Sequence, residues 1–191
     1  MLLWLSKKQQ NINRAGAILL FFSINKVKKI GFVFILLLLL TTTKSQNYSD
    51  SISAVFKENF SDIELSGKII MIEFWSPDNV ESRKMNKEMR RVWHIFQKAK
   101  MKDADKGAVL LFVSVMNNEP FVNMAMRKDS VLNCPSIMVK EGLNSPFCKL
   151  FKIDYVPTNV FINEKGQIIG KEISSRKIAK FMESQLIKNK H

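Results

Sequence analysis

Cysteine and histidine are scarce in this chain of 191 residues: Cys134 and Cys148 are its only cysteines, His94 and His191 its only histidines. Two thiols cannot build a disulfide scaffold. Two Cys without spaced His also give too few ligands for a structural metal site, so no metal or other cofactor is expected. Serine hydrolysis needs a base beside the nucleophile. His94 falls about three turns beyond Ser82 along the same helical pattern, and His191 is terminal, so neither supplies one. No period of 20–50 residues recurs, and no low-complexity tract lies outside the N-terminal segment.

The first 45 residues lack any acid but carry seven Lys or Arg, so the formal charge of +13 falls to about +6 over the remainder, ordinary for a globular domain. Within that segment Lys26, Lys28 and Lys29 precede an unbroken apolar run at 30–40, followed by Thr41-Thr42-Thr43-Lys44-Ser45. This order predicts a secretory signal with small residues Thr43 and Ser45 before a cut at Gln46. The chain is then exported across the inner membrane to the periplasm or envelope. The alternative is an uncleaved anchor, because the run is short for a span of about 20 residues but the apolar patch at 15–22 lengthens it. A membrane is a partner only in that second case.

After the leader (1–45), a polar lead-in (46–63) predicts one helical turn or a short strand. The rest, 64–191, is long enough for one domain with a single core. Ile69-Ile70-Met71-Ile72-Glu73-Phe74-Trp75 and Ala108-Val109-Leu110-Leu111-Phe112-Val113-Ser114-Val115 are nearly continuous apolar runs of strand length, as for strands covered on both faces. Between them Met85, Met89, Val92, Phe96 and Ala99 recur at spacings of four and three, predicting a helix from Asn79 to about Lys100. Its basic residues read as a solvated face, since Glu81 and Glu88 interleave, and nucleic acid is not an expected partner. Further helices are predicted over 121–128 and from Pro146 through Phe151, with a short strand at 137–139. Val160-Phe161-Ile162 and Gln167-Ile168-Ile169 flank a hairpin turn at Asn163-Glu164-Lys165-Gly166, and a terminal helix capped by Ser174 or Ser175 follows. The order reads β-α-β-α-β-β-α.

Phe74-Trp75-Ser76-Pro77-Asp78-Asn79-Val80-Glu81-Ser82-Arg83 resembles the active-site turn of the thioredoxin-like superfamily, most closely its TlpA-like cell-envelope thiol-disulfide oxidoreductases. In that family a buried strand ends in Phe-Trp, and Cys-x-x-Cys plus a basic residue opens a helix. Here Asn79 and Ser82 stand where the two cysteines belong. Val156-Pro157-Thr158, followed by a strand, a Gly turn and a last strand, is similar to the family's second signature. The resemblance covers roughly residues 64–188. It implies a thioredoxin-like three-layer α/β/α sandwich with a central mixed sheet, and a cis peptide before Pro157.

The family's chemistry needs a thiolate at a helix N-terminus and a second thiol one turn away, and no cysteine precedes Cys134. Asp78 as N-cap with Glu81 three residues on resembles a capping box. The degenerate turn then comprises Trp75, Asp78, Asn79, Glu81 and Ser82, facing a groove at Val156, Pro157 and Thr158. In relatives that groove holds an extended peptide, which implies a polypeptide or envelope-protein partner for a redox-inactive binding module. Cys134 and Cys148 remain open to three readings: burial as small apolar residues, a bridge closing 13 intervening residues, or a reactive thiol at one of them. The third defines the alternative function, a thiol-dependent oxidoreductase or peroxidase acting through Cys148 or Cys134.

Overall fold

The computed structural model describes residues 51–187; the leader and cleavage site expected from the sequence lie outside the described residues. The elements run helix α1 (51–59), strand β1 (Ile69–Trp75), helix α2 (Val80–Phe96), strand β2 (Ala108–Ser114), helix α3 (Glu119–Lys128), strand β3 (Ser136–Met138), helix α4 (Pro146–Leu150), strands β4 (Thr158–Ile162) and β5 (Ile168–Lys171), and helix α5 (Ser175–Ser184). They form one five-stranded sheet in the order β3-β2-β1-β4-β5.

Every residue of β1, β2 and β4 is buried, which explains why the apolar runs show no alternation with polar residues. The period of two still sorts them by face. Ile69, Met71 and Trp75 join Leu110, Phe112 and Phe161 under α2, α3 and α5. Ile70, Ile72 and Phe74 join Leu111, Val113, Val160 and Ile162 under α1 and α4. β1 pairs parallel with β2 and antiparallel with β4, as Ile69 opposite Ala108 and Phe74 opposite Thr158 fix the two registers. The sheet is therefore mixed, and the sandwich has three layers.

The lead-in differs from expectation. It forms a helix of more than two turns, whose Ile52, Phe56 and the following Phe60 recur at four-residue spacing and are buried. Phe56 packs on Phe147 and Phe151 at ring separations of 6.1 and 6.2 Å. Five polar residues between 51 and 59 dilute the apolar stripe in sequence, so its partner, α4, is what makes it a helix. At the other end of the α2–β2 connection, Gly107 sits at φ +85°, where a Cβ would lie 2.2 Å from the Gln97 carbonyl. Only glycine fits there. No helix among the described residues is long and apolar enough to cross a membrane.

Candidate functional site

β1 ends at Trp75 and α2 begins at Val80, so four residues make the turn between them. Asn79, and not Asp78, is the N-cap. Its backbone is extended (φ −93°, ψ 116°) and its Oδ1 accepts from the Ser82 N–H at 2.9 Å. The expected capping box is absent for a physical reason: the Asp78 carboxylate takes the hydroxyl of Ser76, and exposed Glu81 pairs with Lys84 at 2.8 Å. Ser82 is buried, and its Oγ accepts from the Ser76 N–H at 3.3 Å. Both positions where the resemblance puts cysteines thus carry side chains engaged in holding the turn.

The same Asn79 reaches across the top of the sheet, with Nδ2 donating to the Val156 carbonyl at 3.3 Å. The Val156–Pro157 peptide is cis. Thr158, opposite Phe74 in the β1–β4 ladder, donates from Oγ1 to the Tyr155 carbonyl at 2.7 Å. The turn and the Val156-Pro157-Thr158 segment therefore meet, 77 residues apart in the chain. The Val156 N–H has no partner among the described residues. Trp75 is placed differently: it is fully buried beneath this surface, edge-on to Phe112, with its indole N–H unpaired among the described residues. Replacing Asn79 with Ala removes cap and bridge together and is expected to cost about 1 kcal/mol in a urea titration. Asn79→Asp keeps the cap acceptor beside the helix's positive end and loses only the bridge, so its cost should be smaller.

Cys134 and Cys148 are free thiols buried on opposite faces of the sheet, Cys134 under α2 and α3 and Cys148 in the α1–α4 layer. The sheet between them excludes the bridge that the sequence leaves open. Burial pushes both thiols above the ordinary range, against a weaker pull from Arg90 at Cys134 and from Ser145 at Cys148. His94 is exposed on α2, at hydrogen-bonding distance from Gln97. Among the described residues no group of three His, Cys, Asp or Glu is placed to hold a metal.

Two further features are not evident from the sequence. Glu73 is fully buried on the β1 face beneath α2, and neither carboxylate oxygen has a hydrogen-bond partner among the described residues. Its ladder neighbours cannot serve it: Phe112 is apolar, and the Asn159 amide is spent on both backbone groups of Ile173, at 2.8 and 2.9 Å. Burial alone raises its carboxyl well above the usual range, because desolvation penalises the charged form. Its signal in the sequence is a single acid inside a seven-residue apolar run. The second feature is Asp129, just past α3, with a fully buried side chain gripped by Arg83 through two N–H groups and by Asn86 at 3.2 Å. Arg83 also donates to the Ala125 carbonyl at 3.1 Å, fixing α2 to α3.

This sheet order, with helices on both faces and a proline loop meeting the first residues of α2, is a thioredoxin-like fold. No protein-family model matches the chain, and no curated protein matches it significantly. The solved structures it is similar to include a C-terminal domain from Bacteroides thetaiotaomicron assigned to a thiol-disulfide oxidoreductase, 23% identical with a TM-score of 0.56 over 65% of this chain and 81% of that one. The thioredoxin domain of a thiol-disulfide oxidoreductase from Bacteroides vulgatus matches at 18% identity and TM-score 0.55, covering 65% and 82% of the two chains. A thiol-disulfide oxidoreductase from Bacteroides fragilis matches at 20% and 0.54, covering 62% and 82%. At these identities the likeness establishes the fold.

Proposed function

We propose that this chain is a redox-inactive thioredoxin-like module of the cell envelope, which holds an extended polypeptide in the groove beside Pro157 without processing it. The observation that carries the reading is the occupation of both thiol positions by Asn79 and Ser82, whose side chains are committed to structural hydrogen bonds. A disulfide cannot be exchanged where neither residue bears sulfur. The remaining thiols lie in the core, with burial disfavouring the thiolate that would react. The unpartnered Val156 N–H supports the binding half of the proposal, because an extended chain can add to such a backbone edge. The leader pattern supports export: basic residues, an apolar run, then Thr43 and Ser45.

Thiol labelling tests the redox half. With the native protein at neutral pH, both cysteines should react slowly and with no intramolecular bond to reduce first. In denaturant two thiols should titrate at once. Insulin reduction should stay at the uncatalysed rate. Rapid native labelling of one thiol, with insulin or peroxide reduction lost in Cys148→Ser or Cys134→Ser, would instead establish the oxidoreductase.

A further inference from the structure

Charge is divided between the two helical layers in a way that the net charge conceals. Helices α2, α3 and α5 and the connection 97–104 carry thirteen Lys or Arg against five acids, besides the Asp129 that Arg83 holds. On the opposite side, 51–68 and 139–155, which include α1 and α4, carry five of each. Charge that served solubility alone has no reason to collect on one side of the sheet. On α2 by itself the basic residues read as a solvated face. The tertiary structure joins them to those of α3 and α5, because all three helices cover one core.

Little of this charge is used within the domain. Arg83, Lys84, Lys87 and Arg91 each pair with an acid. The other nine have no acidic partner among the described residues, and all of them but Arg90 are exposed. Several are drawn to one end of the layer. The Lys102 N–H donates to the Gln185 carbonyl at 2.7 Å and its Nζ to the Ser184 carbonyl at 2.8 Å, so the chain leaving α2 lies along the last turn of α5. Lys180 stands one turn before Ser184 and Lys177 one turn before Lys180, on the same face of α5.

Two aliphatic side chains stand in this basic surface. Ile95 is 57% exposed, one turn from Arg91 and from Lys98. Ile187 is 50% exposed, and its N–H donates to the Lys100 carbonyl at 3.3 Å. No Phe, Tyr or Trp is exposed on this layer among the described residues. Single-stranded nucleic acid is held by aromatic stacking as well as by charge. Basic residues around aliphatic ones suit a bilayer surface, where ammonium groups meet headgroup phosphates and the aliphatic chains enter the boundary beneath.

From this division of charge we infer that the α2/α3/α5 layer docks peripherally on a membrane rich in anionic phospholipid. The docking belongs to the folded domain and needs neither an uncleaved leader nor the groove beside Pro157. The groove meets the first residues of α2, about 25 Å along the helix from this patch, so both can be occupied together.

The test uses the full chain, and its readout is local because the seven basic residues of the leader also attract anionic lipid. An environment-sensitive fluorophore is placed on Ile95→Cys and, in a second sample, on Lys57→Cys in the opposite layer; labelling of the native protein spares the buried Cys134 and Cys148. Vesicles of equal parts phosphatidylglycerol and phosphatidylcholine should shift the emission at 95 to the blue at low salt and leave that at 57 unmoved. Pure phosphatidylcholine should move neither. Salt at about 1 M, where the screening length is about 3 Å, should remove most of the response. Lys98→Gln with Lys177→Gln and Lys180→Gln should lower the docking constant about a hundredfold, at about fivefold per charge. Lys57→Gln with Lys140→Gln and Lys149→Gln removes as much charge from the other layer and should change it by less than about twofold. Equal responses at 95 and 57, equal effects of the two triple variants, or no response to phosphatidylglycerol would overturn the docking face. An oligonucleotide or poly-glutamate that moves the signal at 95 at a lower concentration of charge than the vesicles would assign the layer to a soluble polyanion and overturn the membrane reading.

Discussion

Denaturant titrations at pH values rising from the ordinary carboxylate range are expected to show Glu73 destabilising this fold progressively. The sign is opposite to that of an ion-paired carboxylate. In the folded protein burial holds the Glu73 carboxyl well above its ordinary 4.5, with no partner among the described residues to offset desolvation. Below that ordinary value both folded and unfolded chains carry the proton, and Glu73 exacts no pH-dependent penalty. As pH rises past it the unfolded chain ionises while the folded one stays protonated. Stability is then lost by about 1.4 kcal/mol per pH unit until the folded pKa is reached. Lowered carboxyls such as Glu64 and Glu88 act in the reverse sense. The clean measurement is therefore the difference between wild type and Glu73→Gln, in which those groups cancel. That difference should be flat below the ordinary carboxylate range and widen in favour of the variant as pH rises through and above it. Glu73→Met should go further and stabilise by about 1–3 kcal/mol at neutral pH, because it removes the buried unpaired oxygens and fills their space with an apolar chain. A difference that does not change with pH would mean that Glu73 finds a partner or solvent in the native state.

The second large effect belongs to the Arg83–Asp129 pair, and it should be asymmetric. Asp129 is wholly buried, whereas the Arg83 side chain is 24% exposed. Removing the arginine strands a carboxylate that has only Asn86 and, at 3.9 Å, Lys87 to replace it. Arg83→Met should cost about 3–5 kcal/mol, the range for breaking a buried pair from one side. Asp129→Asn leaves a guanidinium that can turn to water and keeps an amide for Asn86, so about 1–2 kcal/mol is expected. Combining Arg83→Met with Asp129→Leu should cost less than Arg83→Met alone, because no charge is then left unpaired. Urea midpoints of the four proteins decide it. Equal costs for the two single changes would show that Asp129 is solvated in the native state.

Much of the sheet and of its longest helix is legible in the sequence. The runs at 69–75 and 108–115 read as buried strands because burial on both faces leaves no polar alternation, and β1 and β2 are buried at every residue. The apolar spacing from Met85 to Ala99 marks α2, although the helix stops at Phe96, with Gln97 as its C-cap lying close against Gly107 of the returning chain. The cap lies one residue beyond the one the sequence favours. Asp78 and Asn79 are both good caps, and only the three-dimensional turn decides that the Asp carboxylate faces Ser76 while the Asn amide faces Ser82. The α1 helix is not legible in the same way, because Ile52, Phe56 and the following Phe60 need α4 to become a face.

By itself the sequence determined what is local or compositional: strand and helix periods, the motif order, and the absence of sulfur at positions 79 and 82. Local sterics and side-chain period write those directly into the chain. Tertiary structure alone decided the pairings that cross it. Asn79 meets Val156, Arg83 meets Asp129, and Cys134 and Cys148 end on opposite sides of one sheet. Glu73 is only one polar residue in an apolar strand until the register sets it against Phe112 and an Asn159 already engaged by Ile173. A side chain's partners depend on which strands lie beside it and which face it takes, and the packing of the whole chain sets both.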